Sequence, residues 1–225
     1  MFEGKPTLAK VFRKSLAEFA GTALLVTVVL GSGIMGANLS DDVGVTLIIN
    51  ALSTIMALSL LILLLGPVSG AHLNPAVTFV QILRRSFAAG EAVAVVGAQI
   101  TGAIVGALLA NLMFDLPVVQ ISTHERVSAG LLVGEVVSTA GLIAVIGILG
   151  ARNQERLLPV AVPAWIGSAY FFTSSTSFAN PAVTIGRVFS DTFAGISPAS
   201  VLPYIVAQLL GALVGMAVVK GVTRA

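Results

Sequence analysis

Two asparagines, Asn74 and Asn180, each begin a copy of the pentad Asn-Pro-Ala-Val-Thr. Asparagine is a strong N-cap residue because its side-chain oxygen accepts a hydrogen bond from the first turn of a helix, and proline at the first helical position loses no hydrogen bond. Each pentad therefore predicts the start of a helix. The carboxamide of each asparagine would cap its own helix and leave N–H donors for the oxygen of a neutral solute. The predicted chemistry is hydrogen bonding rather than catalysis.

The composition places these pentads in a membrane. The chain has 225 residues, of which 56% are hydrophobic and 10% charged, and its mean hydropathy is +1.01. Soluble domains carry about 25% charged residues. The net charge of +2 comes from basic residues in short loops rather than from one patch, so we expect no nucleic-acid partner. The chain has no cysteine, which excludes a disulfide framework, a thiol nucleophile and a thiolate metal site.

Six apolar stretches are long enough to be predicted as membrane spans. They cover residues 15–37, 45–65, 91–113, 128–150, 157–174 and 199–219. The first apolar run, 19–37, exceeds the roughly 7 to 15 residues of a signal-peptide core. One face receives only Arg126 and Arg187, while the other receives ten basic residues: Lys5, Lys10, Arg13, Lys14, Arg84, Arg85, Arg152, Arg156, Lys220 and Arg224. The positive-inside rule then predicts that both termini are cytoplasmic. We expect an integral protein of the cell (inner) membrane.

The helices that follow the two asparagines, at about 76–85 and 182–190, are too short to span a bilayer, which takes about 20 residues. Irregular backbone such as 66–74 and 173–180 is tolerated at membrane depth only where it is buried in protein or lines a water-filled cavity. Two half-helices entering from opposite faces would bring their asparagines together at mid-bilayer. Each helix N-terminus carries about half a positive charge, which repels cations. The sequence therefore predicts a pore for neutral solutes, lined by Asn74, Pro75, Ala76, Asn180, Pro181 and Ala182.

The second half of the chain repeats the first. Ala17–Thr22 corresponds to Gly134–Thr139, which places Glu18 and Glu135 alike, and an Ala-Gln-x-x-Gly-Ala segment contains Gln99 in one half and Gln208 in the other. We describe residues 1–225 as one domain made of repeat 1, about 14–113, and repeat 2, about 127–220. Three spans per repeat is an odd number, so the second copy must be inverted. Small residues four apart in the third spans favour close helix packing.

These motifs, with Ser-Gly-Ala-His ahead of Asn74, resemble the aquaporin (major intrinsic protein) family over about residues 14–220. The resemblance implies an all-α membrane protein of six spans and two re-entrant half-helices, assembled as a homotetramer, with passive flow and no cofactor. It implies that Glu18 and Glu135 accept hydrogen bonds from the re-entrant loops, although Glu18 could instead extend to the membrane edge. Gln99 and Gln208 are expected to bond between helices. His72 is either a gate or ligand, or, as we favour, a packed histidine bonded to loop backbone.

The constriction departs from the family pattern. Counting from the pentads assigns it to Thr54, Ser168, Ser177 and Val183, all small and uncharged, whereas family members usually have arginine where this chain has Val183. We therefore predict an aquaglyceroporin-like member with a wide filter that lacks arginine and suits glycerol, urea and neutral metalloid species. Arg187 is on the same helical face as Val183; it either reaches back over the pore mouth or, as we favour, extends to the outer surface. Proton and cation exclusion would then rest on the half-helix ends, with a small leak.

Three alternatives remain distinguishable. A strict water channel would exclude larger solutes. A secondary transporter would share inverted repeats and broken helices but needs further intramembrane acids or cation ligands for coupling. An enzyme would need a nucleophile with its base or a metal set, and His72 and His124 lie in unrelated settings. We therefore predict a channel whose partners are water, small uncharged solutes and the lipid bilayer.

Overall fold

The computed structural model describes residues 7–223, and Lys5 and Arg224, counted above, lie outside them. Eight α-helices follow one another along this part of the chain: α1 Leu8–Leu39, α2 Val43–Ser69, α3 Pro75–Leu83, α4 Ala89–Met113, α5 Ala129–Ala151, α6 Leu158–Phe172, α7 Pro181–Gly186 and α8 Pro198–Thr223. Short 3-10 helices, Glu155–Leu157 and Arg187–Phe189, precede α6 and follow α7. We call the face at which α1 begins and α8 ends the terminal face, and the other the distal face.

The helix boundaries follow from local capping chemistry. Thr7 accepts a hydrogen bond from the Lys10 N–H at the start of α1, Asp42 caps α2, and Ser128 caps α5. Each of these side chains satisfies N–H groups that have no partner within the helix. The left-handed Gly70, with φ of 93°, ends α2. The helices therefore begin at residues whose side chains can cap them, and α2 ends at a glycine that adopts the left-handed conformation without steric cost.

Five helices, α1, α2, α4, α5 and α8, are long and apolar enough to cross a membrane. The predicted span at 157–174 is shorter in the structure, because α6 has only 15 residues and reaches about 22 Å at 1.5 Å per residue. Its last residues are replaced by the loop that leads back toward α7. The fully buried side chains include Glu18, Gln99, Glu135 and Gln208, while many leucines and valines are exposed. Exposed apolar side chains around buried polar ones are the pattern expected of a protein surrounded by lipid.

Glycines bring the long helices close together in pairs. A methyl group on Gly102 or Gly106 of α4 would clash with the carbonyl oxygens of Phe19 and Ala23 in α1. In the second half, Gly211 and Gly215 of α8 meet the carbonyl oxygens of Val136 and Ala140 in α5 in the same way. The pairs α1 with α4 and α5 with α8 thus form two matching walls, between which the half-helices α3 and α7 lie.

We expect Gly106→Leu to lower the melting temperature by about 2–12 °C, since overpacking costs about 1–3 kcal/mol and each kcal/mol is worth roughly 2–4 °C for a protein of this size. The side chain would meet the backbone of α1, which has no room to move aside. Gly97→Leu in the same helix is the matched control, because Gly97 is exposed and has open space around it. Equal melting temperatures for the two variants in detergent would contradict this packing.

Candidate functional site

The two pentad asparagines cap the half-helices. The Asn74 Oδ1 accepts a hydrogen bond from the Ala76 N–H at 2.8 Å, and the Asn180 Oδ1 accepts from the Ala182 N–H at 3.0 Å and the Val183 N–H at 3.3 Å. Both asparagines are buried yet line the main cavity. The N-termini of α3 and α7 therefore point toward a shared space.

Each asparagine also binds the loop of the other half. The Asn74 Nδ2 donates to the Ala179 carbonyl at 2.7 Å, and the Asn180 Nδ2 donates to the Leu73 carbonyl at 2.7 Å. The expectation that both amide N–H donors of each residue face the lumen is therefore only half met, because one of the two is used within the protein. One N–H of each carboxamide remains for a solute. These reciprocal bonds hold the two half-helices together.

The backbone ahead of each asparagine contains several left-handed residues. Positive φ occurs at Ala71 and Leu73, with values of 46° and 48°, and at Ser177 and Ala179, with values of 53° and 48°. Residues other than glycine seldom adopt this conformation, which costs of order 1–3 kcal/mol and needs support from the surrounding structure. These residues line the main cavity. The loops therefore present backbone rather than long side chains to the lumen.

Two fully buried glutamates provide that support. The Glu18 carboxylate accepts hydrogen bonds from the His72 N–H at 2.9 Å, the Leu73 N–H at 2.6 Å and the Ser69 hydroxyl at 2.6 Å. The Glu135 carboxylate accepts from the N–H groups of Phe178 and Ala179, both at 2.9 Å. Extension of Glu18 to the membrane edge does not occur, since none of its surface is exposed. The two carboxylates accept hydrogen bonds from the loop N–H groups, while the Leu73 and Ala179 carbonyls accept from the asparagines.

A glutamine links each acid to its half-helix. The Gln99 Nε2 donates to Glu18 at 2.8 Å and to the Thr78 hydroxyl at 3.1 Å, while the Gln208 Nε2 donates to Glu135 at 2.6 Å and to the Thr184 hydroxyl at 2.9 Å. Each bridge connects a long helix, its neighbour and a half-helix. The Gln99 and Gln208 Oε1 atoms have no hydrogen-bond partner within residues 7–223, so each bridge depends on the amide N–H groups.

His72 breaks the symmetry between the halves. Its Nδ1 lies 3.0 Å from the Thr78 hydroxyl, and its ring packs 5.3 Å from that of Phe87. The favoured expectation of a bond to loop backbone is therefore wrong, since its partner is a side chain of α3. No group of three or more potential metal ligands occurs within residues 7–223. His72 is a packed residue of the cavity wall.

The main cavity has a volume of about 530 Å³ and runs along the two asparagines. At the terminal face it is lined by Arg84, Glu155 and Leu158, and toward the distal face by Ser177 and Arg187. One wall is apolar and consists of Leu25, Val29, Leu58, Ile62, Leu142, Ile146, Val162 and Ile166. The opposing wall consists of the re-entrant loops and the two carboxamides. A passage with one apolar and one hydrogen-bonding side suits amphipathic neutral molecules.

Ser168 does not line this cavity, which corrects the predicted constriction. It is exposed on the outside of α6, whereas Val162, Ile166 and Tyr170 face the cavity. Those three repeat every four residues on one side of the helix, and Ser168 is about 200° away from Tyr170. The Tyr170 hydroxyl donates to the Thr54 hydroxyl at 3.3 Å. Tyr170 is the α6 residue that sequence counting missed, and the apolar period of α6 was the signal that could have found it.

Arg187 is the second correction. The sequence-based expectation that its side chain extends to the outer surface is wrong, because only 3% of the residue is exposed and it lines the cavity. Its guanidinium carbon lies 3.3 Å from the centroid of the Phe178 ring, and its Nε donates to the Ala194 carbonyl. Stacking on an aromatic face and a backbone acceptor offset part of the cost of burying the charge. The expected absence of arginine from this region therefore does not hold.

A second arginine, Arg126, precedes Phe178 along the chain and also contacts its ring. The Arg126 Nε donates to the Gly195 carbonyl at 2.8 Å, and its guanidinium carbon lies 5.3 Å from the Phe178 ring. Nearby, the Thr123 N–H donates to the Asp191 carboxylate at 2.8 Å and holds the pKa of that exposed acid below its usual range. The distal loops are thus fastened to each other by hydrogen bonds, and two positive charges lie close to the end of the cavity.

Comparison with known proteins gives a consistent result. The family described as "Major intrinsic protein" matches residues 6–179 and 160–225. The chain is 43% identical over 208 residues to the aquaglyceroporin AqpS of Rhizobium meliloti (strain 1021), covering 92% of this chain and 89% of that protein. It is 29% identical over 217 residues to aquaporin NIP6-1 of Arabidopsis thaliana, covering 93% of this chain and 68% of that protein. The aquaglyceroporin structure from Plasmodium falciparum superposes with a TM-score of 0.71 at 20% identity, covering 96% of each chain, which bears on the fold.

Proposed function

The chain belongs to the major intrinsic protein family, and we propose that it conducts uncharged solutes larger than water, with glycerol, urea and neutral metalloid species as candidates. It is an integral membrane channel for water and small solutes and not an enzyme. The observation that supports larger solutes is the cavity itself, with its apolar wall along α1, α2, α5 and α6 facing two carboxamides. A polyol can place its carbon atoms on the first side and its hydroxyl groups on the second.

We propose that the constriction is formed by Thr54, Tyr170, Ser177, Val183 and Arg187. Ser177 lines the cavity, and its buried hydroxyl has no hydrogen-bond partner among residues 7–223. The Arg187 guanidinium donates from Nε to Ala194, and its other N–H groups have no acceptor in the described part of the chain. Hydroxyl and guanidinium donors beside an aromatic ring favour a molecule that has both polar and apolar faces.

Exclusion of cations is proposed to rest on two elements. The N-termini of α3 and α7 present about half a positive charge each at the asparagines, and Arg187 adds a full charge toward the distal end. A cation on this path would meet both barriers in a region of low dielectric, where repulsion is stronger than in water. We therefore expect less leakage of protons and cations than through a constriction that lacks arginine.

A solute panel tests this proposal. We expect proteoliposomes that contain the protein to pass water, glycerol and urea at least tenfold faster than empty liposomes in stopped-flow swelling measurements. We expect the same of boric acid, which serves as a probe of neutral metalloid hydroxides. Sodium and chloride should remain at the rate of empty liposomes. Fast water flux with glycerol and urea at background would identify a strict water channel instead. Saturable uptake that depends on an ion gradient would identify a secondary transporter.

The assembly and orientation are proposals of the same kind. We propose a homotetramer with one pore per protomer, because large hydrophobic side chains are exposed along α1, α2, α5 and α6 and can serve both lipid and neighbouring protomers. We propose that the terminal face is cytoplasmic, since most basic residues are found there, and that the membrane is the cell (inner) membrane. The internal duplication is proposed as repeats of about 14–113 and 127–220 within one domain, 1–225.

A further inference from the structure

A second cavity lies beside the main one at the terminal face, between α3, α5 and α8. Its volume is about 370 Å³, within the usual range of ligand pockets, roughly 300–1,000 Å³. Its floor is apolar and mostly buried, and it consists of Val77, Val80, Ile143, Ile146, Gly147, Met216 and Val219. Its rim is exposed or half-exposed and carries Gln81, Arg84, Ala217, Lys220 and Thr223. None of these residues forms the constriction proposed above.

The charge around this second cavity is entirely positive. Arg84 and Lys220 are its charged lining residues, and no acid lines it. Neither side chain has a carboxylate within 4.0 Å in the described part of the chain. Gln81 accepts a hydrogen bond from the Ser86 hydroxyl through its Oε1, which leaves its amide N–H groups as donors. The rim therefore offers two cations and an amide donor above an apolar floor.

The depth of the cavity in the membrane also matters. Its rim lies where α3, α5 and α8 end, at Leu83, Ala151 and Thr223, and we expect the lipid headgroups at the level of these helix ends. Helix C-termini carry partial negative charge, so an anion is favoured only next to the two side chains and not on the helix axes. Clusters of basic residues at the ends of transmembrane helices attract anionic lipids by about 1 kcal/mol per cation, or roughly fivefold in affinity each.

We propose that this second cavity binds an anionic phospholipid of the leaflet at the terminal face. The phosphate lies between the Arg84 and Lys220 side chains, and one acyl chain lies on the apolar floor. Val77, Gln81, Arg84 and Ile146 line both cavities, so the lipid is separated from the conducting path by a single layer of side chains. The site is independent of which solute the channel conducts.

Native mass spectrometry of the full-length protein in neutral detergent tests the proposal. Phosphatidylglycerol and phosphatidylcholine with identical acyl chains are titrated separately, and we expect wild-type protein to retain the first about 25-fold better, since two cations contribute about fivefold each. The double variant Arg84→Gln/Lys220→Gln is expected to bring this preference close to one. The control is Arg152→Gln/Arg156→Gln, which removes the same charge from exposed residues outside both cavities and should retain the preference.

A third variant keeps the proposal testable if the double variant does not fold. Ala217→Trp fills the rim from an exposed position that does not line the main cavity, and it should reduce phosphatidylglycerol binding at least fivefold without changing the charge. Equal retention of the two lipids by wild-type protein would overturn the proposal. So would an unchanged preference in both the double variant and Ala217→Trp. Displacement of phosphatidylglycerol by equimolar glycerol 3-phosphate would also overturn it, because the site would then recognise a free phosphate rather than a lipid.

Discussion

Glu135→Ala is expected to lower the melting temperature by roughly 10 °C and to reduce solute flux per folded protein at least tenfold. The carboxylate accepts from the Phe178 and Ala179 N–H groups and from the Gln208 amide, and all three donors are buried. A buried donor left unsatisfied costs about 1–3 kcal/mol, and each kcal/mol is worth roughly 2–4 °C for a chain of this length. Thermal unfolding in detergent and stopped-flow swelling of proteoliposomes measure the two effects.

The flux loss has a separate cause from the loss of stability. Ser177 and Ala179 hold left-handed backbone conformations, and Ala179 provides the carbonyl that accepts from the Asn74 amide. Without Glu135 the loop can relax, so the carbonyl and the cap at Asn180 would shift relative to the lumen. Glu125→Ala is the matched control, because Glu125 is an exposed acid in the distal loop. A Glu135→Ala protein that melts and conducts like this control would show that the acid does not hold the loop.

Val183→Arg is expected to reduce glycerol flux at least tenfold while reducing water flux less. Val183 lines the main cavity with only 5% of its surface exposed, one helical turn from Arg187. A second guanidinium there would occupy space between α7 and the side chains of Thr54 and Tyr170. An added barrier of about 1.4 kcal/mol suffices for a tenfold effect. Stopped-flow measurements with glycerol and with an impermeant osmolyte separate the two fluxes.

Two variants control for size and charge. Val183→Met lengthens the side chain without a charge, and its glycerol flux should fall less than that of Val183→Arg. Val119→Arg adds the same charge at an exposed position of the distal loop and should leave both fluxes unchanged. Glycerol flux equal to wild type in Val183→Arg would remove Val183 from the proposed constriction.

Local chemistry made the membrane class and the half-helices predictable from sequence. Capping depends on a few consecutive residues, so Asn74 and Asn180 were read correctly as N-caps. Hydropathy is a property of a window of residues, and it located the spans within a few positions, apart from the start of α1, which begins at Leu8 rather than at the predicted residue 15. Close packing at Gly102 and Gly106 was predictable because it depends on the absence of a side chain.

Only the tertiary structure decided the directions in which the side chains of the cavity wall point. Counting placed Ser168 in the constriction, but the rotation of α6 about its axis is set by its contacts with α2 and α5, and that rotation turns Tyr170 inward. Arg187 extends along the cavity wall because its guanidinium contacts the Phe178 ring and the Ala194 carbonyl, which belong to the loops before and after its own helical segment. The reciprocal bonds between each asparagine and the opposite loop join residues more than 100 positions apart. Sequence determined the caps, spans and small-residue faces, because these depend on neighbouring residues; the lining of the passage depends on how separate elements meet, which no single stretch encodes.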